Sequence, residues 1–252
     1  RRAVCGDLTS CFDFKTPNAA VAALPATAET AQRAKALPGR TKPPTPAEPM
    51  TPVQATGVRR SRPLPYALDV ALTTNTPRIT FRNTGSATAV LHVYDCKRLD
   101  APPRRYTVEP GKMLQDDWAP AADGSYDLFV QGPNGFHRRF ASAKTGAGPL
   151  VTLVAVGRKV QLRLNNPEKT PRSIRVTSEP YAKDLKGWAS KLAANGAANE
   201  LWDLSPTSGW YDLTVRVDGL TGWSQRFAGR LDTGVATMTD PALGGPAIMN
   251  WA

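Results

Sequence analysis

Cysteine and histidine are scarce in this chain. Its 252 residues carry three cysteines (Cys5, Cys11, Cys96) and two histidines (His92, His137). There is no CxxC spacing and no histidine cluster, so the common zinc and iron–sulfur sites are excluded. Cys5 and Cys11 either close a small loop in an oxidising compartment or remain free thiols, and Cys96 reads as a small core or strand-end residue. Long apolar runs are also missing. The best, Leu150 to Val156, is seven residues long and includes Thr152, far short of a membrane-spanning helix. The chain starts Arg-Arg-Ala-Val-Cys, with neither a methionine nor an apolar signal core, the expected look of a sequence that begins inside a longer gene product or after processing.

Catalytic signatures are missing too. No GxSxG, HExxH or phosphate-cradling glycine loop occurs, and no nucleophile with a base and an orienting partner assembles from local motifs. The chain therefore reads as non-catalytic, with no cofactor and no metal. Asp116, Asp117 and Asp123 cluster beside a turn, but their spacing matches no calcium loop, and they read as a solvated turn. The formal charge of +11 attracts anionic surfaces. Nucleic acid is nonetheless not expected as a partner, because zinc-finger, helix-turn-helix and RNA-recognition patterns are all lacking.

What the chain does have is a segment that occurs twice. Tyr126-Asp127-Leu128-Phe129-Val130 returns as Tyr211-Asp212-Leu213-Thr214-Val215. Each copy follows a tryptophan (Trp118, Trp202) and precedes an Arg-Phe pair (Arg139-Phe140, Arg226-Phe227). The offsets between copies are 84, 85 and 87 residues, too long for a solenoid repeat and right for a small domain. Around these markers run short alternating segments separated by turns: 66–72, 79–83, 89–94, 105–108, 126–131 and 136–141, then 150–156, 159–164, 173–177, 211–217 and 222–228. Asn83-Thr84-Gly85, Glu109-Pro110-Gly111-Lys112 and Gly132-Pro133-Asn134-Gly135 are turn signals. The expected fold is mainly β: two tandem antiparallel β-sandwich repeats, 65–145 and 146–235.

The remaining stretches read differently. Residues 1–20 resemble the end of a larger domain, with a short helix through Phe12 and Phe14. Residues 21–64 form a linker, helix-prone over 27–37 and proline-rich from Pro38 to Pro65. A short helix is expected at Lys183–Leu192, and 236–252 is a surface tail.

The repeated Trp and Tyr pairs are expected in the cores. Arg139 and Arg226 each precede a core phenylalanine and so face the other side of the strand. Trp210 and Trp223 adjoin glycines near turns, where they either insert at a lipid interface or are partly buried between the modules. Arg138, Arg139, Arg226, Trp210 and Trp223 are thus the candidate contacts to a membrane lipid surface.

Several stretches resemble one family. Gly6 to Phe14 (GDLTSCFDF) with Pro17-Asn18 looks like the end of the catalytic domain of bacterial phosphocholine-preferring phospholipases C, relatives of the acid- and alkaline-phosphatase-like enzymes. Gly57-Val58-Arg59 through Tyr66, Arg105 to Lys112 and Tyr126 to Phe140 (YDLFVQGPNGFHRRF) are similar to that family's C-terminal region. The resemblance implies a secreted or periplasmic enzyme that cleaves phosphatidylcholine, and in some members sphingomyelin, to release phosphocholine. Its catalytic half would precede Arg1 and be the partner of this chain, and no catalytic residue carries over to any position here. The alternative is a stand-alone sandwich that acts as an adhesin or carbohydrate-binding module.

Overall fold

The computed structural model describes residues 23, 26–39, 56–73 and 75–243. Cys5, Cys11, the expected helix through Phe12 and Phe14, most of the proline-rich stretch and the end of the tail lie outside the described residues. The chain divides into two compact units, one of which contains Gly57–Leu243. The other contains α1 (Thr30–Ala36), a seven-residue helix that buries none of its residues and has no side-chain N-cap bond, as its weak apolar stripe dictates.

The first half of the larger unit holds β2 to β8, after the short β1 (Arg60–Ser61). These are β2 (Leu68–Thr73), β3 (Arg78–Asn83), β4 (Ala89–Asp95), β5 (Arg104–Val108), β6 (Met113–Asp117), β7 (Tyr126–Gln131) and β8 (His137–Ser142). The second half holds β9 (Leu150–Val156), β10 (Lys159–Asn165), β11 (Arg172–Thr177), β12 (Trp188–Leu192), β13 (Ala197–Asp203), β14 (Trp210–Val217) and β15 (Ser224–Arg230), followed by β16 (Thr237–Met238). Each half has a three-stranded sheet, ordered β2-β3-β6 and β13-β10-β9. The remaining strands join in one eight-stranded antiparallel sheet, β12-β11-β14-β15-β8-β7-β4-β5.

Alternation places the core. In β7, Tyr126, Leu128 and Val130 are buried while Asp127, Phe129 and Gln131 are half-buried. Val160, Leu162 and Leu164 of β10 are buried in the same way. Trp118 and Trp202 are both 5% exposed, and Tyr126 and Tyr211 are 4% and 6% exposed. All four are therefore core residues, as their recurrence suggests.

Two buried asparagines, one in each half, make the same set of bonds. Asn83 Nδ2 donates to the carbonyls of Ala87 (2.8 Å) and Val108 (2.9 Å), while its Oδ1 accepts from Gly85 N at 2.9 Å. Asn166 Nδ2 donates to Thr170 O (2.8 Å) and Ala193 O (2.9 Å), and its Oδ1 accepts from Glu168 N at 3.2 Å. Each side chain thus builds its own turn and ties the end of one sheet to a strand of the other. Both are fully buried, where unmade bonds would be costly.

Three expectations need correction. The helix expected at Lys183–Leu192 is a turn closed by Leu185 N to Tyr181 O, followed by β12, which pairs with β11. Gly187 interrupts the helix, and the open edge of β11 offers the backbone bonds that decide the outcome. Asp116 and Asp117 stand on β6 rather than in a turn; Asp117 pairs with Arg78 and Asp116 with Arg104. Finally, the end of the expected linker and the start of the expected tail are paired, Arg60 with Met238 and Ser61 with Thr237.

Candidate functional site

The joint between the two halves combines a shared strand seam, buried charge and a cavity. The seam is the antiparallel pairing of β8 with β15. Its register sets Arg139 opposite Arg226, Phe140 opposite Gln225 and Arg138 opposite Phe227. Applying the 87-residue offset to Arg138, Arg139 and Phe140 gives Gln225, Arg226 and Phe227. Exchanging the halves therefore maps the pairing onto itself, with a local two-fold axis at the Arg139–Arg226 pair. Phe140 and Phe227 meet edge to face on the core side, centroids 6.2 Å apart.

On the outer side of the seam, each arginine has its own acid. Arg139 forks onto Asp127 at 2.8 and 2.6 Å. Arg226 does the same to Asp212, its Nε at 2.7 Å from Oδ1. Asp212 is the more buried acid, its side chain 9% exposed against 19% for Asp127. Burial raises the Asp212 carboxyl above its ordinary value despite the guanidinium that pulls it down. The same fork raises Arg226 further. Beside these pairs lies an aromatic row in which Phe129 is edge-on to His137 (4.6 Å) and tilted against Tyr94 (5.9 Å). Burial, reinforced by Arg226, Arg138 and Arg139, lowers the His137 imidazole to about 3. It therefore stays neutral near pH 7 and cannot act there as a cation or proton shuttle.

The five candidate lipid contacts do not form one exposed face. Trp210 and Trp223 are 7% and 3% exposed, which corrects the reading of them as turn residues free to insert into lipid. Trp210 donates from Nε1 to Met238 O at 3.1 Å and packs against Gly135, in the hairpin of the other half. Trp223 lies on Gly148, whose φ is +88° and whose added Cβ would fall 2.4 Å from the indole nitrogen. Only glycine fits there. Arg138 is buried as well, at 2% exposure. Arg139 and Arg226 remain part-exposed, yet both are neutralised by aspartates. The indoles are buried against the other half and the link between the halves, whereas each arginine is paired inside its own half.

Among the described residues, no group of three or more metal-ligating side chains occurs, and no helix is long and apolar enough to cross a membrane. Cys96 is a free thiol, pushed up to about 11 chiefly by burial and by Asp127, which disfavours a reactive thiolate. Sequence reasoning missed Asp127 and Asp212. The signal was present, because the acid of each repeated Tyr-Asp-Leu and the base of each Arg-Phe both face away from the core on adjacent strands.

A cavity of about 320 Å³ opens beside the seam. Arg138, Phe136 and Tyr211 line it, together with Leu68 and Asp69 of β2 and Val160 of β10. Arg138 donates from Nη1 to His137 O (2.8 Å) and Ala228 O (2.9 Å), and from Nη2 to the Tyr211 hydroxyl (3.1 Å). Its guanidinium stands 4.2 Å over the Phe136 ring.

Comparison with known proteins accords with this two-part build. The family model described as "Bacterial phospholipase C, C-terminal domain" matches twice, at residues 60–141 and 147–230. A non-hemolytic phospholipase C of Burkholderia pseudomallei is 37% identical over 256 residues, covering 96% of this chain and 36% of that protein. A non-hemolytic phospholipase C of Pseudomonas aeruginosa is 33% identical and covers 97% and 37%. The hemolytic phospholipase C of the same organism is 31% identical, covering 96% and 38%. The chain thus spans a little over a third of the length of these relatives. Among solved structures, the chicken interferon gamma receptor alpha chain aligns with a TM-score of 0.24 at 10% identity, over 67% of this chain and 97% of that one, too weak a likeness to carry an argument. The double match, which covers most of the chain, places it in the bacterial phospholipase C C-terminal domain family.

Proposed function

We propose that this chain is the non-catalytic C-terminal part of a phospholipase C that acts outside the cytoplasm. The parent enzyme would hydrolyse phosphatidylcholine to diacylglycerol and phosphocholine. The two sandwiches, near 65–145 and 146–235, are read as copies of one module that together brace the catalytic part. The observation that carries bracing over lipid docking is the state of the candidate lipid contacts. Both indoles are buried in the joint and both outer arginines are spent on aspartates, so neither an apolar wedge nor an unpaired basic face is left at these positions for a bilayer. A second support is the seam itself, which fuses the halves into one continuous sheet and gives a partner a rigid scaffold.

The test compares the whole enzyme with a form lacking residues 57–252, on a water-soluble phosphocholine ester and on phosphatidylcholine vesicles. Bracing predicts a lower melting temperature and reduced turnover on both substrates. Turnover lost on vesicles alone, with the soluble ester and the melting temperature unchanged, would overturn bracing in favour of lipid docking. The chain alone is expected to leave the soluble ester intact.

A further inference from the structure

The eight-stranded sheet carries outward side chains across the seam, and the rows that leave its central arginines in the two directions differ. From Arg139 the register runs to Phe129 and Tyr94, and from Arg226 to Thr214 and Thr177. The next row runs from His137 through Gln131 to His92 in the first half, and from Ser224 through Arg216 to Arg175 in the second. Val90, two residues before His92, is matched by Ser173. The second half shows that these strands form and pair with threonine, serine and arginine in the outward positions. The fold itself therefore does not require aromatic rings there. Nor do the other described residues cover them: His92, Tyr94, Phe129 and His137 are half-buried, and Val90 is 48% exposed. The first half thus presents an apolar, aromatic sheet face where the second presents hydroxyls and guanidinium groups.

We propose that this face, built from Val90, His92, Tyr94, Phe129 and His137, is where the catalytic part of the parent enzyme docks. The inference rests on the accessory reading above and gives that role its contact surface. The chemistry of the face selects a folded protein as its occupant. Sugars stack on flat aromatic platforms, but neighbouring rings here meet at 62°, 50° and 85°, so no such platform exists. A bilayer takes apolar side chains that project beside free basic groups. These rings lie within β4, β7 and β8 instead, and Arg139 next to them is already forked onto Asp127. Aromatic groups at the centre with polar neighbours such as Gln131 and Arg105 at the border are the make-up of a protein interface. Two further observations point to the catalytic part. The chain spans a little over a third of its relatives, so a large folded partner would be joined to it covalently. The chain also enters the larger unit at the matching end of the sheet. Arg60 pairs with Met238, whose carbonyl accepts from Trp210, and Trp210 packs on Gly135 in the hairpin between Gln131 and His137. A tether so placed raises the effective concentration of whatever precedes it at this face.

The test is hydroxyl-radical oxidation, read by mass spectrometry at Tyr94 and Phe129 in the whole enzyme and in this chain alone. Docking predicts that both rings lose most of their reactivity in the whole enzyme. Trp188, half-buried on β12 at the far edge of the same sheet, should oxidise equally in both. Val90→Ser combined with Phe129→Thr installs the residues of the second half. It should lower the docked population by at least about tenfold and return Tyr94 oxidation to its rate in the chain alone. Val90→Arg, at an exposed position, makes the same test if the double variant unfolds. The proposal is overturned if both rings react alike in the whole enzyme and in the chain, or if either folded variant leaves Tyr94 protected. It is equally overturned if protection appears in the chain alone as its concentration rises, which would assign the face to a second copy. The form lacking residues 57–252 keeps this inference apart from the reading it rests on. Reactive rings together with a deletion that lowers the melting temperature would overturn docking at this face and leave bracing standing. Protected rings together with a deletion that changes nothing would support the contact and overturn bracing.

Discussion

The two halves of the larger unit share their framework and differ at the joint. Asn83 and Asn166 make the same three hydrogen bonds, Trp118 and Trp202 are equally buried, and each half pairs the aspartate of β7 or β14 with the arginine of the next strand. By the seam offset, Arg138 is matched by Gln225 and Phe136 by Trp223. By the asparagine offset, Gly85 is matched by Glu168. The shared positions are those that any one sandwich needs to close. The differing ones touch the opposite half or the link between halves, so asymmetry is concentrated where two similar modules must fit each other in one particular way.

The largest effects should come from the seam. Phe140→Ala and Phe227→Ala each remove a fully buried ring from the shared sheet and should cost about 3–5 kcal/mol. If the halves fold as one unit, urea unfolding will show a single transition that both variants shift alike. Two separate transitions, each moved by one variant only, would break the comparison and make the halves independent domains. The double variant should show coupling of about 0.5–1.5 kcal/mol from the edge-to-face contact.

Next come the asparagines. Asn83→Ala and Asn166→Ala each orphan two carbonyls and a turn amide, and each should cost about 2–3 kcal/mol in chemical denaturation. Similar costs support structural equivalence. A loss under about 0.5 kcal/mol at either site, the level of an ordinary surface change, would show that the pair is alike in geometry only. The ion pairs should then differ. Asp212→Asn leaves a part-buried guanidinium facing a neutral amide and should cost about 1–3 kcal/mol. Asp127→Asn, at a more exposed pair, should cost about 1 kcal/mol or less. The same denaturation curves rank the two.

Much of the framework was legible because it rests on alternation and recurrence. Strands such as β3, β7 and β10 bury every second residue, and the repeated Trp, Tyr and Arg-Phe markers fixed which segments correspond. β6 and β13 were not legible. β6 buries none of its residues and β13 only Trp202, so neither carries an apolar period, and the neighbouring strands supply the bonds that extend them. The joint was the least legible part. That Arg139 would face Arg226 across a seam, or that Trp210 would pack on Gly135, depends on which edge strands meet, and nothing local to either segment encodes that choice.

The smallest expected effect concerns Glu168, where the first half has only Gly85. The Glu168 carboxylate accepts from Gly148 N at 3.0 Å and from Arg172, so it pins the link between the halves close to the Trp223 indole. Burial opposes its ionisation, but the amide bond and the guanidinium outweigh this and leave its carboxyl below the ordinary value of 4.5. A carboxyl lowered in the folded state contributes stability that is fully present above the unfolded value. That contribution fades as pH falls through the folded one. Glu168→Gln should therefore cost about 0.5–1 kcal/mol at pH 7, the scale of a part-exposed pair. The gap from wild type should close as pH drops below 4.5, where the native side chain also loses its charge. Melting curves at pH 7 and at pH 3.5 would measure both gaps. A difference that persists undiminished at the lower pH would assign the effect to packing of the link, and the charge at Glu168 would then not be what separates the second half from the first.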